Sequence, residues 1–303
     1  MANGVCRSDW HIWKGDIVRT FPAIMGHEMS AVVEEVTAGV SLFKKGDRVV
    51  VPFPGSDGTC RHCQRGLSHL CINPMMPSKA CTGGFTQYVV VPLADLNLVH
   101  LPDNVSFAEG AALGCRFMTS FHALSDRAQI RSGEWVAIYG CGGVELSAIN
   151  IAAAMGCQAI GVDVNVKNLD LASKLGAGHV IYGREVNPVE AVLEITQGGA
   201  HVAVDALGIT ETCVNSIRPL QKRGCHIQIG LTTREEAGYI SLPINDVVRG
   251  ELSILGSVGM PSHQCAEMIP IVANGSLNPK MLITEEISLH EVEDVFARMT
   301  GST

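Results

Sequence analysis

The sequence predicts an α/β protein in two parts: a mainly-β segment from residue 1 to about 115, and a doubly wound parallel sheet from about 130. Three observations predict it. Short β-like runs punctuated by Gly and Pro fill the first part: AVVEEV (31–36), DRVVV (47–51) and FTQYVVV (85–91). Strands then alternate with helical patterns: EWVAIYG (134–140), helix 144–155, QAIGVD (158–163), helix 167–175, HVAVDAL (201–207), helix 211–219, CHIQIG (225–230) and LSILGS (252–257). Apolar strands alternating with amphipathic helices are the pattern of a parallel sheet covered on both faces. Third, 303 residues suit two domains, and 32 glycines against 5% aromatics suit a glycine-punctuated α/β chain better than a sandwich. Two further helices are expected near 263–274 and 289–299, on either side of an apolar segment at 281–287.

Charge and composition narrow the function. Thirty acidic against 22 basic residues leave a net charge of -8, which argues against a nucleic-acid partner. No apolar run approaches the ~20 residues that span a bilayer. The opening MANGVCRSDW has no apolar signal region, so a cytoplasmic protein is expected. Eleven cysteines, an odd number, then point to metal, catalysis or plain core rather than a disulfide framework.

The turn GCGGVE (140–145) follows a strand and opens a helix, the context of a dinucleotide fingerprint. Gly140 permits the tight turn, Gly142 lets the backbone approach a pyrophosphate, and the helix N-terminus beginning at Gly143 and Val144 offers free N–H groups. The third glycine of the pattern is replaced by Glu145, a steric and electrostatic obstacle beside a dianionic ligand. Asp163 ends the next strand, where an acid accepts hydrogen bonds from a ribose 2′-hydroxyl and repels a 2′-phosphate; NAD is favoured over NADP. The plain alternative is an ordinary turn, with Asp163 capping the following helix.

Three motifs before residue 118 suit a catalytic zinc: CRSDWH (6–11), GHE (26–28) and LGCRF (113–117). Such a site needs about three protein ligands and one open position, and Cys6, His27 and Cys115 offer S, N and S. Singly, each is as well read as core or loop, and Ser8 as a helix cap. A second cluster, D-x-x-C-x-x-C-x7-C, places Asp57 before Cys60, Cys63 and Cys71. Four protein ligands make a structural site. A redox C-x-x-C, or completion by His62 or His69 instead of Asp57, are the alternatives.

In this order, GVCRSDWH, GHE, the Asp/Cys cluster, GGFTQYVVVP (83–92), LGCRF, GCGGVE, GVDVN (161–165) and the C-terminal helices resemble the zinc-dependent alcohol dehydrogenases of the medium-chain dehydrogenase/reductase superfamily. The resemblance covers nearly the whole chain. It implies a GroES-like catalytic domain at 1–115 and 259–303, truncated at both ends relative to the family pattern, around a Rossmann domain at 116–258. It also implies catalytic zinc on Cys6, His27 and Cys115, with Glu28 behind the metal or as an alternative ligand. Ser8 resembles the hydroxyl that bonds the substrate oxygen and starts a proton relay through the nicotinamide ribose to His11. Arg7 resembles a pyrophosphate contact, Thr119 falls near the nicotinamide position, and Phe53 is similar to a substrate-pocket residue. Trp10 and Trp13 are read as pocket or core. Asp57, Cys60, Cys63 and Cys71 match the structural-zinc lobe, with Asp for the usual first Cys. A homodimer or homotetramer is implied, with 252–257 as a contact.

The expected function is hydride transfer between an alcohol and NAD. Three rivals stand beside it: a zinc-free reductase of the same superfamily, a shortened paralogue that binds zinc and dinucleotide with little or no turnover, and a zinc-finger-like module at 57–71, against which the acidic balance speaks.

Overall fold

A computed structural model describes residues 1–79 and 81–300; the last three residues of the expected 259–303 segment lie outside the described residues. The chain divides into two compact units, Met1–Met118 with Gly259–Thr303, and Thr119–Val258.

The first unit opens with β1 (Ala2–Gly4) and α1 (Arg7–Lys14). Extended Cys6 stands at the start of α1, and Gly15 ends it in the left-handed region at φ 86°, where a Cβ would be strained. Trp10 and Ile12 give the helix its buried stripe. β2 (Glu28–Val32), β3 (Arg48–Val51), α2 (Arg61–Gln64), α3 (Ala94–Asn97), β4 (Val99–His100) and α4 (Phe107–Ala112) follow. The sheet is antiparallel in the order β1-β2-β3-β4, with Gly4 opposite Glu28 and Met29 opposite Val51. A capping box between Ser106 and Glu109 starts α4.

Two expected strands differ. The run at 31–36 is strand only to Val32, and the strand begins earlier, at Glu28, because its partners are β1 and β3. FTQYVVV at 85–91 forms no strand: Gly83, Gly84 and Phe85 donate their N–H groups to Ile24, Gly26 and Met25, and the rest of the run joins no sheet among the described residues. Tyr88 and Val90 are exposed. High β-propensity without a partner edge does not make a strand.

α5 (Met118–Phe121) spans the boundary in sequence. The second unit then runs β5 (Trp135–Tyr139), α6 (Gly143–Ala154), β6 (Gln158–Asp163), α7 (Val166–Lys174), β7 (His179–Tyr182), α8 (Pro188–Thr196), β8 (Ala200–Asp205), α9 (Thr210–Ile217), β9 (Leu220–Gln228), α10 (Ile244–Gly250) and β10 (Ser253–Gly256). Its six strands are all parallel, in the order β10-β9-β8-β5-β6-β7. The order reverses at β5, and a crevice for ligands opens at the carboxyl ends of strands at such a switch point. Val136, Ala137 and Ile138 of β5 are wholly buried, as the middle strand of a sheet covered on both faces must be. β7 and α8 went unread in the sequence: β7 is a four-residue edge strand with exposed His179 and Val180, too short and too polar for the pattern. Gly259 returns the chain to the first unit, where α11 (Cys265–Ala273) and α12 (Val292–Thr300) complete it. Phe296 of α12 packs against the Trp13 ring, and Trp10 Nε1 donates to Thr300 Oγ1 at 3.2 Å.

Candidate active site

The first unit brings Cys6, His27, Glu28 and Cys115 together: one ligand atom of each lies within 4.8 Å of all the others. Cys6 sits at the start of α1, Glu28 begins β2, and Cys115 lies in the irregular helical turn 113–117. His27 Nδ1 is 3.0 Å from Asp9 Oδ1, which also accepts the Gly26 N–H at 3.2 Å. Asp9 is wholly buried, so this carboxylate fixes the imidazole and turns Nε2 toward the cluster. The Ser8 hydroxyl lies 3.2 Å from Cys6 Sγ and 3.3 Å from His27 Nε2.

Protons are unevenly shared here. The hydrogen bond from Cys115 outweighs burial and, with His27, holds the Cys6 thiol well below its ordinary range. The Cys115 thiol is pushed well up by the same hydrogen bond and by burial. Burial pulls His27 down, but hydrogen bonds to Asp9 and Cys6 together win and hold it up. A divalent cation displaces such protons and takes the sulfur and nitrogen electron pairs in their place. Two thiolates, one imidazole and an adjacent acid fit zinc in hardness and number.

Glu28 is not free to move. Arg116 donates from Nη2 to Oε2 at 2.7 Å and from Nε to Oε1 at 3.2 Å, a two-point clamp on a wholly buried carboxylate. Burial raises the Glu28 carboxyl's pKa even so. A Cβ on Gly4 would stand 1.9 Å from Glu28 Oε2, so glycine is required there for the clamp to close.

The cysteine lobe forms separately. Cys60, Cys63 and Cys71 have sulfurs within 4.8 Å of one another, with Cys60 and Cys63 at 3.5 Å. Asp57 stands beside them, Oδ1 3.2 Å from Cys71 Sγ, and is held by Thr59 and Asn73. The Thr59 backbone N–H first, then Asn73 and Cys71, keep this carboxylate well below the usual range. The Ile72 N–H lowers the Cys60 thiol to about 7, while burial raises Cys71 to about 11. None of Asp57, His62 and His69 is among the ligand atoms that cluster with these three sulfurs; Asp57 reaches the group through its contact with Cys71.

In the second unit, Gly140 has φ 91° and Gly142 precedes α6 with no side chain to cap it; the Glu145 carboxyl accepts from the N–H groups of Gly142 and Glu145, and those of Gly143 and Val144 between them are left for a ligand. Asp163, at the end of β6, accepts the Cys141 N–H at 2.6 Å and the Asn165 N–H at 2.7 Å. The next helix is capped by Asn165, whose side chain accepts from the Lys167 N–H; the plain alternative for Asp163 therefore does not hold. Glu145 is buried with its carboxyl under the turn: a Cβ on Gly140 would meet Oε1 at 3.0 Å, and one on Gly142 would meet Oε2 at 3.0 Å. A left-handed Gly140, the N–H groups left at the start of α6 and an acid at the end of β6 suit a dinucleotide.

Two family models match the chain: the alcohol dehydrogenase GroES-like domain over residues 1–103 and the zinc-binding dehydrogenase over 143–274. An alcohol dehydrogenase of Geobacillus stearothermophilus is 34% identical over 98% of this chain and 86% of its own length. The chain belongs to the zinc-dependent alcohol dehydrogenases of the medium-chain dehydrogenase/reductase superfamily. An NAD-dependent alcohol dehydrogenase of Sulfurisphaera tokodaii is 30% identical over 97% of this chain and 85% of its own. Among solved structures, the alcohol dehydrogenase TADH from Thermus sp. ATN1 superposes with a TM-score of 0.91 at 26% identity, over 99% of this chain and 87% of the other. Membership makes the chain an NAD-dependent oxidoreductase of alcohols and their carbonyl products, with zinc as its metal.

The remaining residues of this dehydrogenase are placed as follows. His11, on α1, pairs through Nδ1 with Asp16 at 2.9 Å and is partly exposed. Arg7 is exposed, with its guanidinium over the Trp10 ring at 4.3 Å. The Phe53 ring stands edge-on to His27 at 5.9 Å. Thr119 is buried, and the Val144 carbonyl accepts the Ser120 hydroxyl at 2.7 Å. Trp10 is core, while Trp13 is partly exposed against Phe296. Sequence reading missed two residues, Asp9 and Arg116. Each has a titratable side chain beside a ligand motif, Asp9 three residues after Cys6 and Arg116 next to Cys115, and that adjacency is the available signal.

Proposed function

We propose that this chain oxidises a small alcohol at the Cys6–His27–Cys115 cluster and that Asp163 selects NAD over NADP. The convergence of those three ligand atoms within 4.8 Å, with Glu28, carries the reading. Zinc, when bound, supplies a Lewis acid for the substrate oxygen, and NAD supplies the hydride acceptor. The chain's own residues do the rest. Asp9 orients His27 and settles which nitrogen faces the cluster. Arg116 and Gly4 hold the Glu28 carboxylate behind the cluster as a fixed negative charge. Ser8 Oγ, beside Cys6 and His27, would accept the substrate hydroxyl's proton while giving up its own, and His11, one turn further along α1 and partly exposed, would be the group that exchanges a proton with solvent at the far end of the relay. Phe53 keeps an apolar wall beside the imidazole. Arg7 and the α6 N-terminus at Gly143 and Val144 would meet the cofactor's pyrophosphate, and Thr119 the nicotinamide.

Asp57, Cys60, Cys63 and Cys71 hold a second, structural zinc. Asp57→Ala is expected to weaken zinc retention in this lobe by about 10–100-fold, whether Asp57 binds the ion or orients Cys71. Titration against a chromophoric chelator measures it, and unchanged retention removes Asp57 from the site.

Asp163→Asn keeps an acceptor for the Cys141 N–H while removing the charge. A hydrogen bond to a charged group is worth about 1.5–3 kcal/mol, so kcat/KM for NAD is expected to fall about tenfold or more relative to NADP. An unmoved ratio assigns Asp163 to the turn alone.

All eleven cysteines are free, as suits a reducing cytoplasm, and among the described residues no helix is long and apolar enough to cross a membrane. A homodimer or homotetramer extended through β10, the edge strand of the six-stranded sheet, completes the reading. The deciding experiment is metal analysis joined to NADH formation over a chain-length series of alcohols. Two zinc ions per chain and alcohol-dependent NADH support it; a zinc-free protein that turns over no alcohol sinks it.

A further inference from the structure

We propose that Glu145 makes dinucleotide binding proton-linked: seating the cofactor's phosphates on the 140–145 turn takes a proton up onto this carboxyl. The inference rests on the cofactor reading above and deepens it.

The carboxyl lies where two glycines leave room for it. It sits 3.0 Å from the Cβ positions of both Gly140 and Gly142, in the hollow that a glycine at 145 would leave empty, and it is buried. Water does not share the charge there. The groups facing it are acidic or neutral. Asp205, at the end of β8, is wholly buried and already accepts the N–H groups of Leu207 and Gly208 at 3.2 Å, the Thr212 hydroxyl at 2.9 Å and Gln228 Nε2 at 2.7 Å. Asp163 faces it from the end of β6, and the buried Cys141 thiol faces it from the turn itself. Beyond Gln228 the network continues to His226, whose Nε2 lies 3.0 Å from Gln228 Oε1 and which burial keeps on its neutral side.

A carboxylate at the start of a helix is ordinarily favoured. Here burial first, then Asp205 and Asp163, outweigh the N–H groups of Glu145 and Gly142 and raise the carboxyl to about 7. In the empty turn at neutral pH, Glu145 is therefore divided between its two forms. The phosphates of a dinucleotide add negative charge at the same helix end and favour the neutral form further. Binding then draws in a proton, and affinity falls as pH rises between the pKa of the empty turn and the higher pKa of the filled one. A glycine or alanine at 145 has no such dependence.

Calorimetric titration of the full zinc-loaded chain with NADH, at about pH 7.5 in PIPES and in Tris, counts the protons taken up; about half a proton or more per NADH is expected. The dissociation constant should rise by up to tenfold between about pH 7 and 8. Glu145→Gln, which keeps the shape and is always neutral, should take up none of these protons and bind NADH nearly as tightly at alkaline pH as at acid pH. NADH binding without proton uptake by the wild type overturns the proposal and leaves the cofactor reading standing; so does a variant that keeps the wild-type uptake and slope. Failure of both proteins to bind NADH at any pH overturns the cofactor reading itself, and this proposal with it. The wild-type measurement decides alone where the variant does not fold.

Discussion

Cys115→Ala is expected to lower alcohol turnover by about 10³-fold or more and to take the zinc content from the two ions per chain proposed above to one. Three ligand atoms meet from the start of α1, from the residue before β2 and from the turn at 113–117. With Cys115 gone, Cys6 and His27 remain with Glu28, and Glu28 is already clamped by Arg116 at 2.7 and 3.2 Å. Using it as a ligand means breaking that pair, so the acid does not replace the lost sulfur. A Lewis acid at the substrate oxygen is worth several kcal/mol, and each 1.36 kcal/mol is tenfold in rate. Metal analysis and steady-state kinetics on the purified variant check both halves. Retention of two zinc ions with turnover within a few-fold of the wild type removes Cys115 from the site. Cys71→Ala is the companion: it is expected to lose the other proposed ion and to act first on stability, because Ser56, at the head of the lobe, is tied to Asn97 of α3.

What the sequence could tell differs between the parts of this site. Cys6, His27 and Cys115 are legible because they are ligand-type residues in short motifs, and a motif survives being read in one dimension. Asp9 lies in the same hexapeptide as Cys6, yet nothing in that hexapeptide marks it. Its role depends on the loop ending at His27 folding back across α1, a contact 18 positions apart that no local pattern displays. Arg116 and Glu28 are 88 positions apart, and only the antiparallel pairing of β1 with β2, and glycine at position 4, let the guanidinium reach. The Rossmann half was easier. Its strands are buried on both faces and read as near-continuous apolar runs, so β6 was read as 158–163, the span it has. β9 begins at Leu220, five residues ahead of the run at 225; left-handed Arg223 and a register shift against β8 interrupt its alternation and mask that first stretch. FTQYVVV failed in the opposite direction: strand-forming residues with no edge to pair with. Propensity is local, and pairing is not.

Arg116→Ala is expected to carry the largest stability loss of any single substitution near the site, about 3–5 kcal/mol. Glu28 is wholly buried, and Arg116 supplies both of its close cationic contacts. Truncating the arginine leaves a wholly buried acid beside the Cys6, His27 and Cys115 ligands and against Gly4, without the guanidinium that balances it. The protein then either protonates Glu28 or opens β1 from β2 to hydrate it, and both routes lower the midpoint of unfolding. The same loss does not follow from removing both charges. Glu28→Gln joined to Arg116→Met replaces a buried ion pair with neutral groups of similar volume, a change that in other proteins is often neutral. The double variant should therefore recover most of what Arg116→Ala loses, and the difference separates the cost of an orphaned charge from the worth of the pair itself. Urea unfolding of zinc-loaded protein, followed by the fluorescence of Trp10 and Trp13 in the first unit, reads the transition. If Arg116→Ala unfolds at the wild-type midpoint, the clamp is not what holds Glu28. If instead the double variant is as weak as the single, the arginine's own packing under Val5, where Nη2 reaches the carbonyl at 3.4 Å, is the larger contribution.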